Sequence, residues 1–202
     1  MKTSEKGFFI AFEGLDGSGS TTQIFLLVER LNREGCKTFA TKEPTNNLIG
    51  GLIRGLLTKE WSISSAGFQL LFSADRAHHL DREIIPEIER GNNIVTDRYF
   101  FSTFAFGSID LPLDWLQSIN RRFPLPDLTI LLKVKPEVCL KRINKSRKGT
   151  EFFEQKAKLE KTWATYEKLA EDKKNKIVVV DGERSIEEIS EEIYQIVKKK
   201  LF

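Results

Sequence analysis

The chain has 202 residues, 40% of them hydrophobic and 30% charged, which is the composition of an ordinary soluble globular protein with one domain. Its formal net charge of +3 is small for this length, so the composition does not indicate general binding to nucleic acids or membranes. Cys36 and Cys139 have neither metal-ligand spacing nor a disulfide pattern, and no apolar segment is long enough to cross a bilayer. We therefore expect residues 1–202 to form a single cytoplasmic domain.

The first predicted strand, Phe8–Phe12, leads through a glycine-rich turn into a predicted helix at Thr21–Glu34. Gly14 and Gly19 are five residues apart and Thr21 follows, which is the spacing of a phosphate-binding loop. In such a loop, backbone N–H groups converge on phosphate oxygens at the positive end of the following helix. The residues expected to bind a nucleotide here are Gly14, Leu15, Asp16, Gly17, Ser18, Gly19, Ser20, Thr21 and Thr22, with Thr21 also a Mg²⁺ ligand. The alternative is a glycine-rich turn without a ligand.

One position departs from this motif. The complete motif has lysine directly before the Ser/Thr, and this chain has Ser20 there. That lysine places positive charge on the phosphates, so its absence bears directly on catalysis. Lys42 and the basic residues after Leu140 are the candidate replacements.

Strand-like and helix-like segments alternate along the rest of the chain, which predicts an α/β fold of three layers with a five-stranded parallel sheet between helices. The later strands are predicted at Thr38–Thr41, Asn93–Thr96, Leu128–Val134 and Lys176–Val180. The later helices are predicted at Leu48–Thr58, Ser64–Arg90, Leu113–Arg122, Pro136–Ser146, Glu151–Asp172 and Ser185–Leu201. Pro86 is expected to distort the helix that contains it.

Polar residues follow the strands, at the sheet edge where open parallel sheets bind ligands. Asp97 and Arg98 come after the third strand, Lys42 and Glu43 after the second, and Asp181 after the fifth. Asp97 is placed to hold Mg²⁺ and Arg98 to bind a phosphate group with two hydrogen bonds. The alternative for the Asp97-Arg98 pair is a helix cap with a surface ion pair.

Taken together, these residues resemble the thymidylate kinases, which are P-loop nucleoside monophosphate kinases, over most of the chain. The runs that carry the resemblance are Phe12-Glu13-Gly14-Leu15-Asp16-Gly17-Ser18-Gly19, Thr22-Gln23, Lys42-Glu43-Pro44, Ile49-Gly50, Ile53-Arg54, Leu71-Phe72-Ser73-Ala74-Asp75-Arg76, Asp97-Arg98-Tyr99, Ser102, Pro126-Asp127-Leu128 and Leu140-Lys141-Arg142. The resemblance implies a P-loop NTPase fold, ATP and Mg²⁺ as cofactors, and a homodimer.

The resemblance also implies an acceptor site. It places Phe72 against the pyrimidine ring, gives Arg76 a hydrogen bond to the base, and assigns Arg54 and Arg98 to the acceptor phosphate. The full set of implied acceptor residues is Glu43, Arg54, Phe72, Arg76, Arg98, Ser102, Thr103 and Phe106. Arg76 lies four residues after Phe72, so both side chains share one helix face. For Phe72 alone, the alternative is an ordinary core aromatic.

On the donor side, the resemblance places Arg142 and Asp181 near the adenine. A basic tract at about residues 142–156 is the implied lid, in which Arg142, Lys145 and Arg147 would cover the γ-phosphate. Because Gly17 gives the loop no arginine of its own, the lid would supply charge in the transition state. The implied catalytic residues are Asp16, Arg98, Arg142 and Arg147.

The expected function is therefore the ATP-dependent phosphorylation of dTMP to dTDP, with two alternatives. Phe106-Gly107 stands where the family often has Tyr-Gln, which leaves open another acceptor such as dUMP. Ser20 leaves open a nucleotide-binding protein that has lost catalysis. Retention of Asp16, Thr21, Asp97 and Arg98 favours an active kinase.

Overall fold

The computed structural model of the chain describes residues 6–143 and 150–201, with the backbone alone at 150–154. Five parallel strands form one sheet in these residues, in the order β2-β3-β1-β4-β5. They are β1 (Phe9–Gly14), β2 (Thr38–Lys42), β3 (Asn93–Asp97), β4 (Leu128–Lys133) and β5 (Ile177–Asp181). The predicted five-stranded parallel sheet is confirmed.

Nine α-helices are present in the described ranges. They are α1 (Ser20–Arg33), α2 (Leu48–Leu57), α3 (Ser65–His79), α4 (Ile85–Glu89), α5 (Phe100–Gly107), α6 (Leu113–Asn120), α7 (Pro136–Ile143), α8 (Thr150–Glu171) and α9 (Ile186–Leu201). None of the helices in this described part is long and apolar enough to span a membrane.

The sheet lies between two apolar cores because successive strand residues point to opposite faces. Phe9 and Ala11 of β1 belong to the core shared with α5 and α8, through Phe101 and Tyr166. Ile10 and Phe12 belong to the opposite core, which includes residues of α1 and α9. The three-layer arrangement predicted from the alternating pattern therefore follows from the period of the strands.

One helix prediction was wrong in detail, and one helix was not predicted. The segment predicted as one helix at Ser64–Arg90 is divided into α3, a π-helical turn at Leu80–Ile84, and α4. Pro86 has no N–H to donate, and its ring would crowd the carbonyl four residues earlier, so the expected distortion appears as this turn. Helix α5 was not predicted, because its sequence FFSTFAFG is mostly apolar and has no polar face of helical period.

Candidate active site

The loop between β1 and α1 requires glycine at two positions. Gly14 and Gly17 have φ angles of 156° and 81°, which side-chain-bearing residues rarely adopt. A Cβ atom at Gly14 would lie 2.8 Å from Ser18 Oγ, and one at Gly17 would lie 2.8 Å from the Cys139 carbonyl oxygen. In this conformation of the loop, both the backbone angles and the lack of space favour glycine at these two positions, of which Gly14 belongs to the motif.

Asp97, the last residue of β3, accepts hydrogen bonds from the first two hydroxyls of α1. Ser20 Oγ donates to Asp97 Oδ1 at 3.0 Å, and Thr21 Oγ1 donates to Asp97 Oδ2 at 2.6 Å. A hydroxyl and a carboxylate thus converge at the helix N-terminus. Mg²⁺ in phosphate-transfer sites is commonly held by one or two protein oxygens together with substrate phosphates, so the Thr21–Asp97 pair fits that ion.

A cavity of about 220 Å³ lies over the loop. Its lining includes Asp16, Ser20, Thr21, Lys42, Glu43, Asp97 and Arg98. Lys42 ends β2, and its register partner Asp97 ends β3, so the sheet brings this lysine to the cavity that Ser20 also lines. The candidate replacement for the missing loop lysine therefore lies at the predicted phosphate site.

Arg98 directly follows β3, and both its backbone conformation and its side-chain contacts are distinctive. Its backbone has a φ of 72°, a left-handed conformation that is unfavourable for arginine and is often found at functional sites. Its guanidinium donates to the Gly14 carbonyl at 2.9 Å, to Ser102 Oγ at 3.0 Å, and to Asp16 Oδ1 at 2.7 Å. These bonds link the arginine directly to the phosphate loop.

Arg98 also lines a second cavity, of about 260 Å³. Its lining contains every predicted acceptor residue except Arg54, namely Glu43, Phe72, Arg76, Arg98, Ser102, Thr103 and Phe106. Asp16, Phe68, Gln69 and Tyr99 are among the further residues that line it. The size is near the lower limit of about 300 Å³ that is typical of ligand clefts. Arg54 is not in this lining, and its Nη1 donates to the Thr45 carbonyl.

Arg76 lines this cavity and is only 1% exposed. Its Nε donates to Glu43 Oε2 at 2.9 Å, its Nη2 lies 2.7 Å from the same oxygen in a salt bridge, and Nη2 donates to Thr103 Oγ1 at 3.2 Å. Nη1 donates to Asn120 Oδ1. Asn120, at the end of α6, has no role in any predicted motif, so sequence reasoning missed it.

Glu43 also contacts a buried histidine. His79 Nδ1 lies 3.3 Å from Glu43 Oε1, while its Nε2 lies 2.7 Å from Thr41 Oγ1. The carboxylate of Glu43 is therefore held from two sides, by Arg76 and by His79. This fixes Glu43 in place at the junction of the two cavities.

Glu13 lies near Arg98 and is a second residue to which sequence reasoning did not assign a role. It continues the β1 face of Phe9 and Ala11, and its carboxylate accepts from the backbone N–H groups of Tyr99 and Ser102 at 3.0 and 3.2 Å. Ser102 Oγ and Tyr166 Oη also donate to it. Burial raises the pKa of Glu13 to about 7, although these hydrogen bonds and the nearby Arg98 charge act to lower it. A glutamate within a wholly buried strand was the signal available in the sequence.

On the donor side, Arg142 joins three backbone carbonyls. Nη1 lies 3.5 Å from the Gly17 oxygen and 3.2 Å from the Ser18 oxygen, and Nη2 donates to the Gly182 oxygen at 3.1 Å. Asp181 is at the end of β5, and its carboxylate accepts the Glu183 N–H at 3.0 Å. Of the other predicted lid residues, Lys145 and Arg147 lie outside the described residues.

A parallel sheet with a phosphate loop after its first strand, and an arginine-lined cavity next to that loop, is the architecture of a P-loop phosphotransferase. Residues 12–193 match the family model described as thymidylate kinase. The chain therefore belongs to the thymidylate kinase family.

Curated relatives of this chain align with it over almost its whole length. The probable thymidylate kinase of Pyrococcus abyssi is 38% identical over 97% of this chain and 98% of its own length. The probable thymidylate kinase of Sulfolobus acidocaldarius is 41% identical over 94% of this chain and 96% of its own. The thymidylate kinase of Leptospira interrogans is 34% identical over 96% of this chain and 95% of its own length.

Proposed function

We propose that the protein transfers the γ-phosphoryl group of ATP to the phosphate of dTMP, giving ADP and dTDP. The observation that carries this proposal is that the two cavities meet. Asp16, Glu43 and Arg98 line both of them, so a donor phosphate over the loop and an acceptor phosphate in the second cavity would face each other across Arg98. Phosphoryl transfer depends mainly on such alignment and on neutralising charge.

The acceptor needs no general base in this reaction. A phosphate monoester has a second pKa of about 6, so its attacking oxygen is already anionic near pH 7. The site therefore requires cations that hold two anionic groups close together. Arg98 meets this need, with its guanidinium oriented by the Gly14 carbonyl and Asp16. Loop residues 14–22 are proposed to hold the donor phosphates, and Arg142 and Asp181 to border the donor's base.

Mg²⁺ is proposed as the second cofactor, held by Thr21 and Asp97. When bound, it would neutralise charge on the β- and γ-phosphate oxygens. Both proposed protein ligands are oxygens, as this ion prefers, and they are 2.6 Å apart in the structure.

Lys42 is proposed to replace the lysine that Ser20 has removed from the loop. It reaches the phosphate cavity from the neighbouring strand, and its ammonium would meet the transferred group from the side of β2. This placement favours the active kinase over a binding protein that has lost catalysis. Arg147 and Lys145 remain proposed lid cations on the basis of the resemblance.

We further propose that the chain is a cytoplasmic homodimer, as its resemblance to the family implies. Leu48 and Leu52 of α2 and Leu70 of α3 are exposed apolar side chains on two packed helices, which supports a covered surface there. Light scattering of the purified chain would measure the assembly directly, and a monomer at all concentrations would contradict the homodimer.

The function is tested by measuring ADP formation with ATP, Mg²⁺ and a set of monophosphates containing dTMP, dUMP, dCMP and AMP. We expect the highest kcat/KM with dTMP. Preference for dUMP would support the alternative acceptor. Tight ATP binding without turnover of any monophosphate would instead support a protein that has lost catalysis.

A further inference from the structure

The buried carboxylate of Glu13 lines neither cavity, yet four donors from the start of α5 and from α8 converge on it. Its Oε1 accepts from the backbone N–H groups of Tyr99 and Ser102 at 3.0 and 3.2 Å. Its Oε2 accepts from the Ser102 hydroxyl and, at 2.8 Å, from the hydroxyl of Tyr166. Burying a carboxylate is costly unless its oxygens are paired, so these four donors keep an acceptor in place inside the protein.

Ser102 connects this carboxylate to Arg98. The Ser102 hydroxyl donates to Glu13 Oε2 and accepts a hydrogen bond from Arg98 Nη1 at 3.0 Å. A hydroxyl has one hydrogen and two lone pairs, whereas an ionised carboxylate can only accept. Because the hydrogen of Ser102 is directed to Glu13, the hydroxyl presents lone pairs to the guanidinium. The carboxylate therefore sets the direction in which Ser102 holds Arg98.

Glu13 also fixes the backbone that follows Arg98. The φ of 72° at Arg98 is unfavourable for a residue with a side chain, and such a conformation persists only when surrounding contacts hold it. The Arg98 N–H donates to the Phe12 carbonyl at 2.9 Å, and Thr96 Oγ1 donates to the Arg98 carbonyl at 2.9 Å. The next N–H, that of Tyr99, donates to Glu13. Both backbone groups of Arg98 and the following N–H are thus paired, and Glu13 supplies the last of these partners.

We infer that Glu13 is the positioning residue of Arg98 and fixes both the backbone and the guanidinium of this arginine for phosphoryl transfer. This inference rests on the proposed function. Arg98 Nη1 makes the bonds to Ser102 and Gly14, and Nη2 makes the bond to Asp16, so Nε takes part in none of them. These contacts hold one edge of the planar fork, and the edge toward Nε is left for the anionic oxygens of a substrate.

The test replaces the carboxylate with an amide of nearly the same shape, Glu13→Gln. The amide keeps one oxygen for the two backbone N–H groups and turns its NH₂ group to the hydroxyls. Ser102 then accepts from residue 13, and its hydrogen is no longer fixed there. We expect kcat with dTMP to fall about tenfold, the loss typical of one hydrogen bond to a charged group, and the KM for ATP to stay unchanged. Assays at about pH 8 keep the carboxylate of the natural chain ionised, because burial raises the pKa of Glu13 to about 7.

A second background separates positioning from a structural role. In Arg98→Lys the ammonium has no plane to be oriented, so Glu13→Gln should cause little further loss of kcat there. A glutamate that only stabilises the fold would lower kcat by the same factor in both backgrounds. Glu13 and Arg98 have no direct hydrogen bond among the described residues, so coupling between them reports on the path through Ser102 and the backbone.

A milder variant and a matched control use two tyrosine–glutamate bonds. Tyr166→Phe removes one of the four donors to Glu13, leaves the carboxylate in place, and should lower kcat with dTMP by a smaller factor than Glu13→Gln. Tyr194→Phe removes the bond of 2.7 Å from Tyr194 Oη to Glu34, in the core on the other face of the sheet, and should leave kcat unchanged.

Three outcomes would overturn the inference while the natural chain turns over dTMP. The first is an unchanged kcat in Glu13→Gln, and the second is an equal loss of kcat in the natural and Arg98→Lys backgrounds. The third is a lowered melting temperature with equal rises in KM for ATP and dTMP, which would assign Glu13 to folding. If Glu13→Gln does not fold, an unchanged kcat in Tyr166→Phe contradicts the inference. A natural chain without dTMP turnover instead removes the proposed function, and the inference fails with it.

Discussion

Arg76 and Glu43 form a salt bridge of 2.7 Å in which the two side chains are only 1% and 2% exposed. Removing one member of such a pair leaves an uncompensated charge in the interior, which typically costs about 3–5 kcal/mol. Both residues also line the cavity that is proposed to bind the acceptor. Substitution of Arg76 is therefore expected to change both the stability of the fold and the binding of the acceptor.

Arg76→Ala is expected to lower the free energy of unfolding by about 3–5 kcal/mol and to weaken dTMP much more than ATP. Denaturant unfolding measures the first effect, and calorimetry with each nucleotide at low temperature measures the second. Arg82→Ala is the control, because Arg82 lies on the π-helical turn, outside the lining of the acceptor cavity. Equal losses of ATP and dTMP affinity would contradict the assignment.

Arg98→Lys is expected to lower kcat/KM for dTMP tenfold or more, or about 1.4 kcal/mol. Lysine keeps the charge but cannot form the planar fork that contacts the Gly14 carbonyl, Asp16 and Ser102 together. Steady-state kinetics provide the measurement, and Arg121→Lys on the exposed surface is the matched control. Kinetics close to those of the unmodified chain would place Arg98 outside the reacting groups.

Lys42→Met is expected to slow turnover about a hundredfold, on the order of 3 kcal/mol, since it removes the proposed replacement for the loop lysine. Ser20→Lys should then restore most of the rate in the Lys42→Met background, and should change the rate little in the natural chain. Lys37→Met, at the other end of the same chain segment, is the control. Unchanged turnover in Lys42→Met together with a strong gain in Ser20→Lys would refute the replacement.

The raised pKa of Glu13 predicts that the stability of the protein depends on pH. Burial raises its pKa from 4.5 to about 7, so the folded protein binds this proton more tightly than the unfolded chain does. The stabilisation is complete below pH of about 4.5 and is lost as the pH rises through about 7, a change of about 3 kcal/mol. Glu13→Gln should remove this part of the profile. Denaturant unfolding of the natural chain and of Glu13→Gln, at pH values from roughly 4 to 8, would measure this change in the free energy of unfolding. The same dependence on pH in both chains would contradict the prediction.

The sequence was sufficient to predict the parallel sheet, and the residues predicted for the acceptor site lie, except for Arg54, in the lining of one cavity. Short apolar or β-branched runs bounded by polar or glycine residues are local signals, and so are helix caps. The carboxyl ends of parallel strands meet at one edge, so Asp97, Arg98 and Glu43 were expected to come together. The thymidylate kinase resemblance then supplied Phe72, Arg76 and Thr103, which the structure brings into one lining.

The residues that were missed act through contacts between distant parts of the chain. Asn120 meets Arg76 only because α6 packs beside α3, and Tyr166 meets Glu13 from 153 residues away. Neither contact leaves a local pattern in the sequence. Helix α5 was missed because a helix buried on most sides has little amphipathic period.

The bond from Arg98 to the Gly14 carbonyl has a consequence for how the two substrates influence each other. The loop is proposed to bind the donor and the arginine to bind the acceptor, and a hydrogen bond of 2.9 Å from Arg98 Nη1 to the Gly14 carbonyl connects them. A shift of the loop on ATP binding would move the carbonyl that holds Arg98. If ATP changes the affinity for dTMP, linkage requires that dTMP change the affinity for ATP by the same factor. Calorimetric titration of each nucleotide, with and without a non-hydrolysable form of the other, would give the sign and the size of this coupling.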